Sequence, residues 1–402
     1  MLLAAALLLR CPPLLPSPRA PPPLSIATGA YAPDDDWPSA AQQSRPPPAA
    51  NRWQRIGDCD VLLPDEGVPC AGLIHFVGGA MVGAAPLQAY RPFLEGLGAG
   101  GGSALGVVAT PVGGLSGLDH WQAATEVMLR WAAARRALDH ALFLRGDPST
   151  DTLPVVGVGH SLGAKLLLLL GSDRRMCDAL GPPRVANALL SYNSAPAAAA
   201  APALAEAAAL ADAARRGGLA AVGAVGGEAA RAVGAVRGGE AMGAALASWT
   251  AAAAAAARGG GAAAPAADFS PSAEETETLI LSSYAVRRNL VVRFADDAID
   301  QSSGLARLLQ RRFTDATHGI GGRLDFKRLD GTHATPNAPS VGELLDGVDW
   351  GLAAQLGVEA AARKAVEGAR RAEREREAAC AVIVEFLERE RGDLLWFPEQ
   401  DM

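Results

Sequence analysis

Runs of apolar residues recur along this chain in two lengths. Short ones cover residues 70–77, 105–110, 154–158, 184–192, 289–294 and 324–329 and read as strands, the first and third of them buried. Longer stretches with apolar positions at helical spacing lie between them, at 84–97, 120–145 and 302–313. In the second of these the stripe includes Trp121, Val127, Met128 and Trp131, a core-facing pattern. Residues 270–287 read as a helix opened by a serine cap, Pro271 and the acidic Glu274. Strand alternating with helix implies a mostly parallel sheet covered on both faces. In such sheets, functional groups collect at the carboxyl ends of the strands.

The sharpest local pattern is residues 153–170, LPVVGVGHSLGAKLLLLL. A buried strand runs into Gly159-His160-Ser161-Leu162-Gly163 and out into a leucine-rich helix. A G-x-S-x-G turn between strand and helix lifts a serine hydroxyl clear of the sheet. It also aims the N–H of Leu162, at the helix start, toward a developing oxyanion. The glycine spacing is one residue too long for a dinucleotide loop, and Lys165 is followed by Leu, so no phosphate loop is spelled. The competing reading is a glycine-rich turn around an inert serine.

Other strand ends complete the picture. After 70–77 comes Gly78-Gly79-Ala80-Met81, where Ala80 or Met81 would supply a second oxyanion donor. After 289–294 comes ADDAID, which makes Asp297 the candidate acid, with Asp296 and Asp300 as rivals. After 324–329 comes Asp330-Gly331-Thr332-His333. Of the six histidines, His333 directly follows a late strand, and His318, in a glycine-rich turn, is the second choice. His75 reads as a core or turn histidine bonded to backbone. His160, inside the elbow, is poorly placed to serve its neighbour. Ser161 as nucleophile, His333 as base and Asp297 as the carboxylate orienting the imidazole form a nucleophilic triad.

The flanks differ in character. Residues 1–50 are proline-rich and carry no acidic residue before Asp34, which suggests a plastid transit peptide, with a secretory signal or a disordered leader as alternatives. Residues 195–267 are dominated by alanine and glycine, and read either as a lid inserted after a strand or as a low-complexity expansion. Residues 351–391 form a helix of alternating Arg and Glu, a solvated face with intrahelical pairs. The domain plan is therefore a leader at 1–50, an α/β domain at 51–350 with the insertion, and a charged helical extension at 351–402.

Composition changes this picture little. The net charge of −7 argues against nucleic acid or an anionic membrane as main partner. Five scattered cysteines without a C-x-x-C pair suggest reduced thiols rather than a zinc site, and no apolar run has the length of a membrane span. No cofactor or metal is expected, the partner being a small acyl substrate.

The segments IHFVGGAMVGAAP, VGHSLGAKL, LSYNS, PSAEET, RRNLVVRFADDAIDQS and LDGTHATP resemble a domain-of-unknown-function family, number 1350, of plants, algae and cyanobacteria. Across residues 53–349 the chain is similar to the α/β-hydrolase superfamily, whose chain order Ser, Asp, His it shares. The resemblance implies a hydrolase-like fold and, in eukaryotes, a plastid location. Two functions are compatible with it: a serine hydrolase of carboxylic esters or thioesters, and a catalytically silent scaffold on the same fold. The oxyanion loop reads His-Phe-Val-Gly-Gly where His-Gly is commoner, a departure that bears on this choice.

Overall fold

A computed structural model describes residues 52–80, 82–99, 104–113, 118–179, 184–197, 199, 268–316, 319–338, 340–341 and 359–396. The expected leader, most of the Ala/Gly insertion, Met81 and His318 lie outside the described residues.

The apolar runs become an eight-stranded sheet. Its strands are β1 (Trp53–Ile56), β2 (Cys59–Leu62), β3 (Gly72–Val77), β4 (Leu105–Thr110), β5 (Val155–His160), β6 (Arg184–Leu190), β7 (Arg288–Phe294) and β8 (Arg323–Leu329). Their order across the sheet is β1-β2-β4-β3-β5-β6-β7-β8. The β1–β2 hairpin is antiparallel and joins β4 antiparallel, whereas β4 to β8 are parallel throughout. This is an α/β-hydrolase-like fold.

Helices cover both faces because side chains along each strand alternate between them. Leu73 and Val77 of β3 join the core on one face, and Ile74 and Phe76 the core on the other. The first face carries α2 (His120–Arg145), α3 (Leu162–Ser172), α5 (Ala273–Ser283) and α6 (Ser302–Thr314), with the short α4 (Arg174–Ala179) beside them. The second carries α1 (Pro86–Ala99) and the C-terminal α7 (Glu359–Trp396). Every residue of α3 is buried, which is why leucine is its commonest residue. Cutting one of those leucines to alanine is expected to cost about 2–5 kcal/mol.

Three local readings are corrected by the structure. Ser272 caps α5, so Pro271 stands before the helix rather than opening it. The Ser272 hydroxyl accepts from the Glu275 N–H while the Glu275 carboxylate accepts from the Ser272 N–H, a reciprocal pair. The α7 helix is more than a solvated face. Ala379, Cys380, Ile383, Phe386 and Leu387 are buried against the sheet, while Arg371 and Glu375 make the expected pair on the outside. His75 is fully buried, stacked on Trp131 at 4.2 Å, and accepts from the Arg184 guanidinium at 2.7 Å, so its partner is a side chain rather than backbone.

The start and end of the Ala/Gly insertion are tied together, since the Ala197 N–H donates to the Asp268 carboxylate at 2.7 Å. Just beyond, Lys165 of α3 is fully buried and donates to the Pro271 carbonyl at 2.9 Å. Among the described residues no helix is long and apolar enough to cross a membrane.

Candidate active site

β5 delivers Ser161 to its carboxyl end, and α3 begins one residue later. The turn is tight enough to force Ser161 to φ 55° and ψ −119°, a region that non-glycine residues avoid at a cost of about 1–3 kcal/mol. A hydrogen bond from the Ser161 N–H to the Leu190 carbonyl, 2.9 Å, fixes the bend to the next strand. Glycine at 163 is obligatory, because a Cβ there would run into the carbonyl of Val77. At 159 a Cβ would stand 2.8 Å from the backbone of Ala164. The two glycines therefore let strand, turn and helix close on one another, with Ser161 half-buried at the carboxyl end of β5.

The loops after β7 and β8 are zipped together. The N–H groups of Ala295 and Asp296 donate to the carbonyls of Leu329 and Gly331, at 2.8 and 2.9 Å. Gly331 has φ 128°, and a Cβ on it would collide with the Thr335 hydroxyl. That hydroxyl accepts the Thr332 N–H at 2.9 Å, closing the turn that presents His333. The outcome is a linear constellation. His333 Nε2 lies 2.9 Å from Ser161 Oγ, and His333 Nδ1 lies 2.8 Å from Asp297 Oδ2. The Asp297 side chain is fully buried, whereas that of His333 retains one-fifth of its exposure.

Burial opposes the charge on Asp297. The His333 hydrogen bond and charge, the Ser191 hydroxyl and the Ile299 N–H outweigh it and hold the carboxyl below the usual range. The two rivals lie elsewhere. Asp296 is largely exposed, 3.7 Å from Arg371. Asp300 accepts from the Ser302 N–H and hydroxyl at 2.9 and 2.8 Å, at the start of α6, and pairs with Arg293. The structure thus brings Ser161, His333 and Asp297 together and leaves Asp296 and Asp300 outside.

Of the oxyanion candidates, Leu162 is the first residue of α3, so its N–H has no partner within the helix. The positive end of that helix dipole adds to the same field. The Gly78-Gly79-Ala80 loop lies beside Ser161: a Cβ on Gly79 would stand 3.4 Å from the Ser161 Cβ. Ala80 sits half-buried in the turn that follows. The Gly79 N–H donates to the Tyr90 hydroxyl at 2.8 Å.

Sequence reasoning passed over Tyr90 and gave His160 no part. Tyr90 is fully buried on α1 and His160 is nearly so at the end of β5. The Tyr90 hydroxyl meets His160 Nδ1 at 2.8 Å, and His160 Nε2 meets the His333 carbonyl at 2.9 Å. A lone tyrosine within the apolar stripe of a helix is the signal that was available, because a buried hydroxyl requires a partner.

Structural likeness was found to an enol-lactonase from Burkholderia xenovorans LB400, at 13% identity and a TM-score of 0.39, covering 70% of this chain and 93% of that one. It was also found to the thioesterase domain from the curacin biosynthetic pathway, at 13% and 0.38, covering 71% and 94%. An esterase from Pyrobaculum calidifontis gave 12% and 0.40, covering 82% and 85%. No curated protein sequence matches the chain. The sequence profile described as "Protein of unknown function (DUF1350)" matches residues 52–343, so the chain is a member of the DUF1350 family.

Proposed function

We propose that the protein is a serine hydrolase acting on a carboxylic ester or thioester. His333 Nε2 takes the proton of Ser161 as the hydroxyl oxygen attacks the acyl carbon. Asp297 holds the imidazole in the tautomer with hydrogen on Nδ1 and stabilises the imidazolium that forms. The carbonyl oxygen becomes an oxyanion facing the Leu162 N–H and the backbone N–H of Ala80 or Met81. His333 then protonates the departing alcohol or thiol, leaving an acyl group on Ser161. Water, deprotonated by the same histidine, releases the acid and restores the serine.

The observation that carries this reading is the pair of distances on either side of one imidazole, 2.9 Å to Ser161 and 2.8 Å to Asp297. The strained elbow beneath the nucleophile supports it as well. The test is covalent labelling with a fluorophosphonate, which bonds to an activated serine and releases fluoride. Wild type should label and hydrolyse short-chain aryl esters or thioesters. Labelling should disappear in Ser161→Ala. A folded wild type that neither labels nor turns over any such ester overturns the reading and leaves a scaffold on the hydrolase fold.

A further inference from the structure

Four backbone and side-chain groups form one line across the top of the sheet. The Gly79 N–H donates to Tyr90 Oη, Tyr90 Oη meets His160 Nδ1, and His160 Nε2 meets the His333 carbonyl, at 2.8, 2.8 and 2.9 Å. The donors can be assigned from the two ends. A backbone carbonyl only accepts, so His160 Nε2 carries the hydrogen. Burial and the neighbouring His333 push the His160 pKa down to about 3, so the ring is neutral and its Nδ1 accepts. Tyr90 must then donate to Nδ1, while its oxygen accepts from Gly79. Every bond in the line has one direction, and the direction is the same throughout.

The line joins four elements. Gly79 belongs to the loop beside Ser161, Tyr90 to α1, His160 to the end of β5 and His333 to the loop after β8. The Tyr90 ring packs edge-on against Phe76, with centroids 4.8 Å apart, and a Cβ on Gly78 would press against that ring at 2.8 Å. A Gly-Gly loop has wide conformational freedom unless something outside it holds it. Here the loop is wrapped on Tyr90 and pinned by its hydroxyl.

We infer that Tyr90 and His160 are positioning residues that lock the oxyanion-side loop and the base-bearing loop into one register. The same relay engages the Gly79 N–H, which leaves the second oxyanion donor to the loop beyond it, where Ala80 is the next described residue. This inference rests on the hydrolase reading above. A displacement of such groups by a fraction of an ångström is enough to slow the chemical step.

The test uses the full-length protein with Tyr90→Phe, His160→Ala and His160→Gln, assayed on a short-chain p-nitrophenyl ester. Rates are expressed per serine labelled by the fluorophosphonate, so that partial unfolding does not count as lost catalysis. Tyr90→Phe keeps the ring and removes the relay. Its kcat should fall roughly ten- to a hundredfold with KM little changed. His160→Gln, whose amide N–H can still reach the His333 carbonyl, should keep more kcat than His160→Ala. In wild type, nitrogen NMR should find His160 protonated at Nε2 and bare at Nδ1. Wild-type kcat per labelled site in both Tyr90→Phe and His160→Ala overturns the inference, as does a hydrogen on His160 Nδ1. The spectrum decides even if a variant fails to fold. Those outcomes leave the hydrolase reading standing, whereas a wild type that never labels removes both.

Discussion

Asp297→Asn probes the site most directly, and the structure determines what the amide will do. The two carboxylate oxygens of Asp297 serve different donors: Oδ2 accepts from His333, and Oδ1 accepts the Ile299 N–H at 3.1 Å. An asparagine has only one acceptor oxygen. If that oxygen faces His333, the amide NH2 faces the Ile299 N–H, donor against donor, at a backbone position that cannot change its proton. If the amide is turned the other way, its NH2 faces Nδ1 of an imidazole that can shift its hydrogen to Nε2. The second arrangement satisfies both contacts and is the one expected. It places a hydrogen between His333 Nε2 and Ser161, so the base can no longer accept. Losing the buried charge removes the stabilisation of the imidazolium as well. Together these are expected to lower kcat about ten-thousandfold, equivalent to roughly 5.5 kcal/mol in the barrier. The assay is steady-state hydrolysis of a p-nitrophenyl ester, with circular dichroism to confirm the fold. Asp296→Asn, at an exposed carboxylate, should leave kcat unchanged. Asp300→Asn should lower thermal stability through the start of α6 before it alters the chemistry. An Asp297→Asn enzyme within tenfold of wild type, alongside a dead Asp296→Asn or Asp300→Asn, would refute this reasoning.

Two further outcomes follow from titratable groups whose burial disfavours their charged form. Burial lowers the Lys165 pKa from 10.5 to about 8, against the pull of Asp268 and Glu275. Between those values the unfolded chain holds a proton that the folded chain has released, so the lysine's contribution to stability improves as pH rises from 8 toward 10.5. Relative to Lys165→Met, wild type should gain about 3 kcal/mol between pH 7 and pH 10.5 in urea unfolding. An unchanged difference would show that the ammonium is solvated in the fold. His75, His120 and His160 all have pKa values lowered by burial. Below 6.5 the unfolded chain takes up protons at these positions and the folded chain does not, so stability is lost as pH falls. The three together set a slope of up to about 4 kcal/mol per pH unit. Urea midpoints that are level between about pH 6.5 and pH 5 would contradict it.

The sequence by itself determined much of this protein. Strand lengths and helix spacing marked the α/β alternation, because burial on both faces of a parallel sheet leaves short unbroken apolar runs. The elbow was legible because its chemistry depends on local backbone: only glycine fits at 163 under the Val77 carbonyl, and only a turn at that point lifts Ser161. The β1–β2 hairpin was not legible, since two four-residue strands offer too few positions for alternation to register. Tertiary structure decided the rest. Three aspartates within the six residues after β7 are equivalent on paper. Only the zipper between the β7 and β8 loops turns Asp297 toward His333, points Asp296 to solvent and assigns Asp300 to α6. The same holds for α7, whose Arg and Glu residues dominate its composition while a few apolar side chains decide where it packs. Tyr90 and His160 lie 70 residues apart, and neither carries a motif that names the other. Their bond exists because Tyr90 of α1 packs on Phe76 of β3, and β3 pairs with β5 in the sheet. Spacing along the chain describes local geometry. Which polar groups meet across the sheet is decided by packing, and that is where the candidate site is assembled.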